Sequence, residues 1–368
     1  MAVAFTMDAP RPFEANPGLI SFHSSTPVDR LEVRIDGRVF RIVDLPAPTR
    51  RSTVGPIGLP SRDVTVTVTG FSGSQRVGSQ TASDVLGLPR ASMSIRPIGR
   101  TSVRGQVRMR RLPRPAEAVA GWAVDLSAGT GASYNAGARF TAASTAKLPI
   151  LIALLINRDE DIVGSEVWGS VQSMIRRSSN DAANDVLTAL GGSTASGGAI
   201  TTAIAHRLGA VQTEEAAGYL ADDYDRRLRP PVLVDNQPDV PCCKVTTAHD
   251  LGILMQSIVE AAAGRGRARR LGLTGRDARV ALWLLAHTDS PGLIAPWTRF
   301  ITAHKIGDVN RAWHDVAAVF TLHGPLIVVA MTDSAGGVDR SASAHFGRGV
   351  LEIALEDLPA PAVTGPDR

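Results

Sequence analysis

Alternating apolar and polar positions in the first ninety residues predict β structure. The stretch LEVRIDGRVFRIV (31–43) alternates around Asp36-Gly37, the residue pair that two-residue type I′ hairpin turns prefer. A hairpin with this turn places its apolar cross-strand pairs on one face of the sheet. The facing pairs that this register predicts are Ile35 with Arg38, Val33 with Phe40, and Leu31 with Ile42.

A second run of the same kind follows at 63–80, where valines alternate with threonines before a Ser-Gly turn. Several short strands at close spacing are typical of a small all-β domain, so we expect residues 1–90 to form an Ig-like β-sandwich. No motif in this domain carries chemistry. Residues 91–115 are rich in arginine and proline, which predicts a solvated linker with a short helix over 101–111.

From residue 116 to residue 368 the pattern mixes strands and helices. Two strands, many helices, three strands and a closing helix predict an α+β domain, with an antiparallel sheet assembled from both ends of the segment and an all-helical subdomain. The predicted strands are 118–125, 132–136, 298–307, 313–322 and 325–332. The predicted helices are 145–157, 165–177, 181–190, 197–208, 247–263, 276–286 and 337–356. The segment 209–246 predicts a long loop, and long loops inside compact domains tend to be functional.

Composition narrows the classes of function. A length of 368 residues predicts two domains, and a net charge of +4 disfavours nucleic acid as an obligatory partner. No segment is apolar for long enough to span a membrane, and no signal peptide is visible at the N-terminus. The only cysteines, Cys242 and Cys243, are adjacent and predict no disulfide framework. No histidines have metal-ligand spacing, so we expect neither a metal nor another cofactor.

Lysine is rare in this chain, which makes each lysine informative. Among 39 lysines and arginines, every residue other than Lys147, Lys244 and Lys305 is an arginine. Arginine keeps its proton in proteins, whereas a lysine in a dry site can lose it. We therefore expect lysine where a compact or deprotonatable cation is needed.

Three short motifs in the second domain carry candidate chemistry. Ser144 precedes Lys147 by one helical turn, at the start of an apolar helix. The segment Ser178–Asn180 lies between two predicted helices, and Lys305–Gly307 ends a predicted strand. Each motif alone has an ordinary explanation, since serine and asparagine cap helices and lysine is often solvated. Their occurrence together and in this order favours catalysis.

The three motifs resemble the signature of the serine β-lactamases and penicillin-binding proteins, S-x-x-K, S-x-N and K-T-G in this order. The resemblance covers residues 116–357. It is most similar to class A enzymes in the strand pair before Ser144, the AAN after the second motif, the HDV on the following strand and the closing helix. The resemblance implies a β-lactamase/transpeptidase-like fold and a serine hydrolase that works through an acyl-enzyme.

The resemblance also implies a role for each motif residue. Ser144 is expected to be the nucleophile and Lys147 its base, provided that burial lowers the lysine pKa. Ser178 is expected to relay a proton to the leaving nitrogen, beside a fixed positive charge on Lys305. The substrate contacts expected are Asn180, Ile306, Gly307 and Asp308, with the backbone N–H groups of Ser144 and Asp308 as the oxyanion hole.

Two departures from the family pattern concern the substrate and the hydrolytic step. Ile306 stands where the family has a hydroxyl residue that helps to hold a substrate carboxylate, and isoleucine cannot donate a hydrogen bond. The loop at 208–232 lacks the Glu-x-x-Leu-Asn stretch whose glutamate activates water in class A enzymes. Our candidate for that role is Glu214, with Glu215, Asp222 and Asp223 as alternatives.

Three functions stay open at this point. The first is a β-lactamase-type serine hydrolase that cleaves an amide bond. The second is a D-alanyl-D-alanine peptidase, or another amidase or esterase, on the same fold. The third is a module without turnover that binds peptidoglycan-like ligands, as a sensor does. In each case we expect a monomer with a small-molecule or peptidoglycan-derived ligand, and the resemblance implies a location in the cell envelope or outside the cell.

Overall fold

The computed structural model of the chain describes residues 5–8, 20–55, 64–85, 95–220, 222–223, 232, 234, 236–240, 243–321 and 323–358. The chain divides into two units, residues 1–90 and residues 91–368. Among the described residues, no helix is both long enough and apolar enough to cross a membrane.

The first unit contains one five-stranded sheet. Its strands are β1 (Phe5–Asp8), β2 (Ile20–Ile35), β3 (Arg38–Val54), β4 (Val64–Ser72) and β5 (Gln75–Val85). The long strand β2 pairs antiparallel with β1, β3 and β4, and β4 pairs with β5. The expected two-sheet Ig-like sandwich is not confirmed. Alternation along a strand predicts which face is buried, but it does not predict which strands pair at each edge.

The hairpin between β2 and β3 turns at Asp36-Gly37, as expected, with positive φ angles of 50° and 78° at these two residues. Its register differs from the predicted one. The observed facing pairs are Ile35 with Arg38, Val33 with Arg41, and Leu31 with Val43. A bulge at Phe40 causes this shift by one residue, and Phe40 itself is exposed. The alternating pattern contains no signal for a single inserted residue.

The second unit is built on a six-stranded sheet in the order β12-β13-β14-β7-β8-β6, with a smaller sheet in the order β10-β11-β9. The strands are β6 (Arg100–Thr101), β7 (Ala118–Asp125), β8 (Thr130–Tyr134), β9 (Arg139–Thr141), β10 (Glu214–Glu215), β11 (Lys244–Thr247), β12 (Ile301–Val309), β13 (Ala312–Thr321) and β14 (Gly324–Asp333). Every residue of β14 is buried, as a central strand covered on both faces requires.

The predicted helices occur in the expected order, with ends that differ by a few residues, and one short helix, Gly266–Arg270, was not predicted. The helices are α1 (Val103–Arg111), α2 (Lys147–Ile156), α3 (Trp168–Arg176), α4 (Asn180–Gly191), α5 (Thr194–Leu208), α6 (Ala248–Ala262), α7 (Gly266–Arg270), α8 (Gly275–Ala286) and α9 (Arg340–Asp357). Short 3₁₀ turns lie at Ala143–Ala146 and Ala295–Trp297. The α+β fold with a sheet and a helical subdomain is confirmed.

Two neighbouring residues of β7 show how helices cover the large sheet. A Cβ at Gly121 would lie 2.9 Å from Met109 of α1 and 3.3 Å from Val350 of α9. Trp122 points to the opposite face, where its ring packs directly against Gly252 of α6. The sheet therefore lies between α1 and α9 on one face and α6 on the other.

The described part of the expected linker, from residue 95 to residue 115, contributes to this layered arrangement. Strand β6 pairs with β8, and α1 packs beside α9. Ser102 accepts a hydrogen bond from Gly105 N at 3.0 Å as the cap of α1, and its hydroxyl donates to the backbone oxygen of Asp357 at 2.9 Å. Arg108 donates a hydrogen bond to the side-chain carboxylate of the same Asp357 at 2.8 Å. This arginine-rich segment is thus a packed part of the second unit.

Candidate active site

Ser144 lies in the 3₁₀ turn Ala143–Ala146 that leads into α2. No side chain caps this turn or α2, so Ser144 does not act as a helix cap. Its Oγ instead accepts a hydrogen bond from Lys147 Nζ at 2.7 Å. Ala143, directly before it, has a φ of 47°, a left-handed conformation that alanine rarely adopts. Strain of this kind is concentrated at functional sites.

Lys147 is the residue that we expected to act as the base, and its environment is suited to that role. The side chain is fully buried, and burial lowers its pKa to about 6. The nearby ammonium groups of Lys305 and Lys244 also lower this pKa, while Glu215 raises it. Lys147 Nζ donates a second hydrogen bond to Asn180 Oδ1 at 2.8 Å. A lysine with this pKa is largely neutral at pH 7 and can take a proton from a serine.

The residues of the second motif make two kinds of contact, one that caps a helix and others that bind lysine side chains. Ser179 caps α4 by accepting a hydrogen bond from Ala182 N at 3.2 Å. Ser178 has a φ of 58°, and its hydroxyl accepts a hydrogen bond from Lys305 Nζ at 2.9 Å. Asn180 begins α4 and directs its side chain to Lys147. Capping therefore explains Ser179, whereas Ser178 contacts Lys305 and Asn180 contacts Lys147.

Lys305 on β12 differs from the fixed positive charge that we expected. Its side chain is buried, and burial lowers its pKa to about 7, although Asp315 opposes this shift. Besides Ser178, its ammonium donates to the backbone oxygen of Ile306 at 3.0 Å. Lys305 therefore titrates near neutrality, so its charge depends on pH.

Gly307 allows β12 to approach the turn that holds Ser144. A Cβ at this position would lie 2.9 Å from Ala142 O and 3.1 Å from Thr145 N, and both neighbours are backbone atoms. A larger residue would push the strand away from the nucleophile. The oxyanion hole formed by the N–H groups of Ser144 and Asp308 stays a prediction.

Ile306 is nearly buried, with 9% of its surface exposed, and its side chain packs beside Gly292. It offers no hydrogen bond to a substrate carboxylate. Two arginines near this end of the site are already paired with carboxylates. Arg340 donates to Asp308 at 2.7 Å and 2.9 Å, and Arg311 donates to Asp333 at 2.7 Å. A substrate carboxylate would have to compete with Asp308 and Asp333 for these two arginines.

A cleft of about 460 Å³ opens beside the nucleophile. Its lining includes Ser144, Asn180, Tyr219, Lys244, Asp308 and Arg311. The first motif, the second motif and the end of β12 therefore meet at one cavity. Nowhere in the described part of the chain do three or more His, Cys, Asp or Glu side chains form a group that could hold a metal.

Glu214, our candidate for activating water, lies outside the Ser144 cleft. Together with Glu215 it lines a separate cavity of about 520 Å³, and neither residue is among those that line the cleft. Glu214 and Glu215 are the two residues of β10, so their side chains point in opposite directions. It is Glu215 whose carboxylate approaches the lysines, at 3.3 Å from Lys244 Nζ.

The other carboxylates considered for this step, Asp222 and Asp223, do not line the cleft either. Asp223 is buried and accepts hydrogen bonds from Leu220 N at 3.0 Å and from the hydroxyl of Thr194 at 3.3 Å. It therefore orders the loop. Asp222 is exposed.

Lys244 is a site residue that motif matching missed. Its ammonium forms the ion pair with Glu215, donates to the backbone oxygen of Gly218, and lies over the ring of Tyr219 at 4.2 Å. Lys147 Nζ lies over the same ring at 4.1 Å. Burial opposes the charge on Lys244, but the ion pair outweighs it and raises the pKa of Lys244. All three lysines of the chain therefore meet at this site, and their rarity was the available signal.

Comparison with known families agrees with this geometry. The sequence model of a family described as the beta-lactamase enzyme family matches residues 108–167 and 160–350, more than half of the chain. The chain belongs to this family. The match includes all three motifs and the first part of the closing helix, so the resemblance found in the motifs is confirmed. Among curated proteins, nothing matches the sequence.

Solved structures share the β-lactamase/transpeptidase-like fold of the second unit. A β-lactamase from Desulfarculus baarsii DSM 2075 is 16% identical with a TM-score of 0.52, over 68% of this chain and 97% of that one. A β-lactamase from Streptosporangium roseum is 21% identical with a TM-score of 0.53, over 69% and 99%. PBP-A is 21% identical with a TM-score of 0.52, over 72% and 100%. Identities this low support the fold alone.

Proposed function

We propose that this member of the beta-lactamase enzyme family is a class A-type serine hydrolase that cleaves a β-lactam-like amide bond through an acyl-enzyme on Ser144. The observation that carries the proposal is the 2.7 Å hydrogen bond between Ser144 Oγ and a buried Lys147 with a pKa of about 6. Such a pair combines a nucleophile with a base that is neutral near pH 7.

Acylation follows from these contacts. Neutral Lys147 takes the proton of Ser144 as Oγ attacks the carbonyl carbon, and the backbone N–H groups of Ser144 and Asp308 stabilise the oxyanion. The intermediate collapses by breaking the C–N bond. Ser178 relays to the leaving nitrogen the proton that Lys147 has taken, which returns Lys147 to its neutral form. The positive charge of Lys305, whose Nζ lies 2.9 Å from the Ser178 hydroxyl, favours this relay.

Deacylation decides between two candidate functions on this site. The position of Glu214 outside the cleft and the ion pair of Glu215 with Lys244 favour a long-lived acyl-enzyme. The second candidate is therefore a penicillin-binding D-alanyl-D-alanine peptidase, or another amidase or esterase, whose β-lactam adduct is hydrolysed slowly. For either function we propose a small-molecule or peptidoglycan-derived substrate and a location in the cell envelope or outside the cell.

Turnover of a chromogenic cephalosporin distinguishes the two candidates. Multiple turnovers that disappear in Ser144→Ala support the β-lactamase function. A single burst, with a stoichiometric adduct that persists, supports the penicillin-binding function. If neither cephalosporins nor serine-directed fluorophosphonates react with the protein, the remaining possibility is a module that binds peptidoglycan-like ligands without forming an acyl-enzyme.

A further inference from the structure

Lys244 and Lys147 share one aromatic ring. Their ammonium groups lie 4.2 Å and 4.1 Å from the centre of the Tyr219 ring. An aromatic face attracts a cation, and this attraction is stronger in a site that excludes water. The two ammonium groups are therefore close to one another, and a positive charge on either lysine disfavours a positive charge on the other.

The partners of the two lysines decide which one carries the charge. Lys244 Nζ lies 3.3 Å from the carboxyl group of Glu215, and both side chains are buried, with only 4% and 2% exposed. Burial raises the pKa of Glu215 to about 8, and the adjacent ammonium of Lys244 opposes this shift. Lys147 instead donates to two neutral oxygens, on Ser144 and Asn180. A buried carboxylate stabilises an adjacent ammonium far more than a hydroxyl or an amide does. Lys244 is therefore the protonated lysine of the two.

We propose that Lys244, paired with Glu215, is a positioning residue whose charge adds to the effects of burial and of Lys305 in keeping Lys147 neutral, and so extends acylation of Ser144 to lower pH. This inference rests on the proposed function, because it assigns to Lys147 the role of base. Lys244 itself does not touch the reacting atoms in this account. Its effect reaches Ser144 through Lys147.

The charged and titratable groups around Lys147 come from several elements. Lys305 on β12 repels it, Lys244 on β11 repels it, and Glu215 on β10 attracts it. The Tyr219 ring covers it, and the thiol of Cys243 lies 3.4 Å from Lys244 Nζ. Asp315 acts on Lys305 from β13. Removal of Lys244 is therefore expected to raise the pKa of Lys147, whereas removal of Glu215 is expected to lower it. The experiment uses this difference.

The presence of only three lysines allows a direct test. Selective ¹³C labelling of lysine gives three Cε signals, which Lys147→Arg and Lys305→Arg assign. In Lys244→Met we expect the titration midpoint of Lys147 to rise by about one pH unit, the scale of a unit charge within about 8 Å at an effective dielectric constant near 20. In Glu215→Gln the midpoint is expected to fall. The double variant is expected to titrate close to the wild type, and Lys244→Arg is expected to preserve the wild-type midpoint.

Acylation by a chromogenic cephalosporin provides the second readout. The acidic limb of the pH profile is expected to follow the NMR midpoint, so that Lys244→Met is about tenfold slower than the wild type below the wild-type midpoint. A Lys147 midpoint that is unchanged in Lys244→Met, or that moves in the same direction in Glu215→Gln, would overturn the inference. A moved midpoint with an unmoved kinetic limb would support the electrostatic coupling and refute Lys147 as the base. Should Lys244→Met not fold, Glu215→Gln and Lys244→Arg still test the sign of the effect.

Discussion

Lys147 and Lys305 each donate a hydrogen bond to a serine, at 2.7 Å and 2.9 Å, and both side chains are buried. Their surroundings differ. Burial and the nearby cations Lys305 and Lys244 together lower the pKa of Lys147 to about 6, against the opposing effect of Glu215. Burial lowers the pKa of Lys305 only to about 7, because Asp315 opposes the shift. We therefore expect the first pair to supply a base and the second pair to supply a positive charge.

The order of the two pKa values fixes a pH dependence. Acylation needs neutral Lys147, so its rate rises as the pH passes about 6. It also needs protonated Lys305, so its rate falls as the pH passes about 7. We expect a narrow bell-shaped profile for the second-order acylation constant, which reports on the free enzyme. A profile that rises without a maximum would show that the two lysines do not divide the roles in this way.

Lys147→Arg is expected to have the largest effect. A guanidinium keeps the charge but cannot act as a base, so acylation should slow by about 10²–10⁴-fold, the usual contribution of general base catalysis. Stopped-flow acylation by a chromogenic cephalosporin measures this loss. Acylation of Lys147→Arg near the wild-type rate would show that Lys147 is not the base for Ser144.

Ile306→Thr tests which substrate group binds beside the pair of Lys305 and Ser178. A hydroxyl at this position adds a hydrogen bond to a substrate carboxylate beside Lys305. A hydrogen bond to a charged group is worth about 1.5–3 kcal/mol. If this bond is made in the transition state, it raises the rate by about one to two decades. Acylation by penicillins should therefore increase by about 10- to 100-fold, while deacylation stays slow. A variant that gains nothing, measured against Ile306→Val, indicates a natural substrate without a carboxylate at this position and favours the amidase or esterase function.

Lys305→Arg should be milder than Lys147→Arg, because the second pair requires a cation rather than a base. The loss at the pH optimum is expected to be about tenfold or less, and the alkaline limb near pH 7 should disappear, since arginine stays protonated. Acylation is followed across the pH range in both variants. Equal losses in Lys147→Arg and Lys305→Arg would mean that the roles are assigned wrongly.

Glu214→Gln is expected to have the smallest effect. Its side chain faces the cavity with Thr202 and His206, so the rate of deacylation should not change. The decay of the acyl-enzyme, followed by intact mass, measures this rate, and Glu215→Gln is the matched control one residue away. A slower decay in Glu214→Gln, without a slower decay in Glu215→Gln, would show that Glu214 takes part in deacylation.

Local sequence patterns predicted most of the second unit and its catalytic core. The helices and strands around Ser144, Ser178 and Lys305 occur in the expected order, because apolar periodicity and motif spacing are local properties. The bulge at Phe40 and the sheet of the first unit were not predictable in this way. They depend on which strand edges meet, and alternation along one strand does not encode that choice.

The features of the site that the sequence did not specify depend on contacts between distant segments. Whether Glu214 or Glu215 faces the lysines is set by the register of β10 against β11, in which Glu215 lies opposite Lys244. A two-residue strand has no periodicity from which to read its inward face. Lys244 was visible as one of three lysines, yet only the fold brings it over Tyr219.

The nucleophile is the central claim, and intact-mass spectrometry after incubation with a penicillin tests it most directly. We predict one adduct per chain on the wild-type protein, mapped to Ser144 by peptide analysis, and no adduct on Ser144→Ala. A wild-type chain that reacts with neither penicillin nor a fluorophosphonate, or an adduct that persists in Ser144→Ala, would contradict the account.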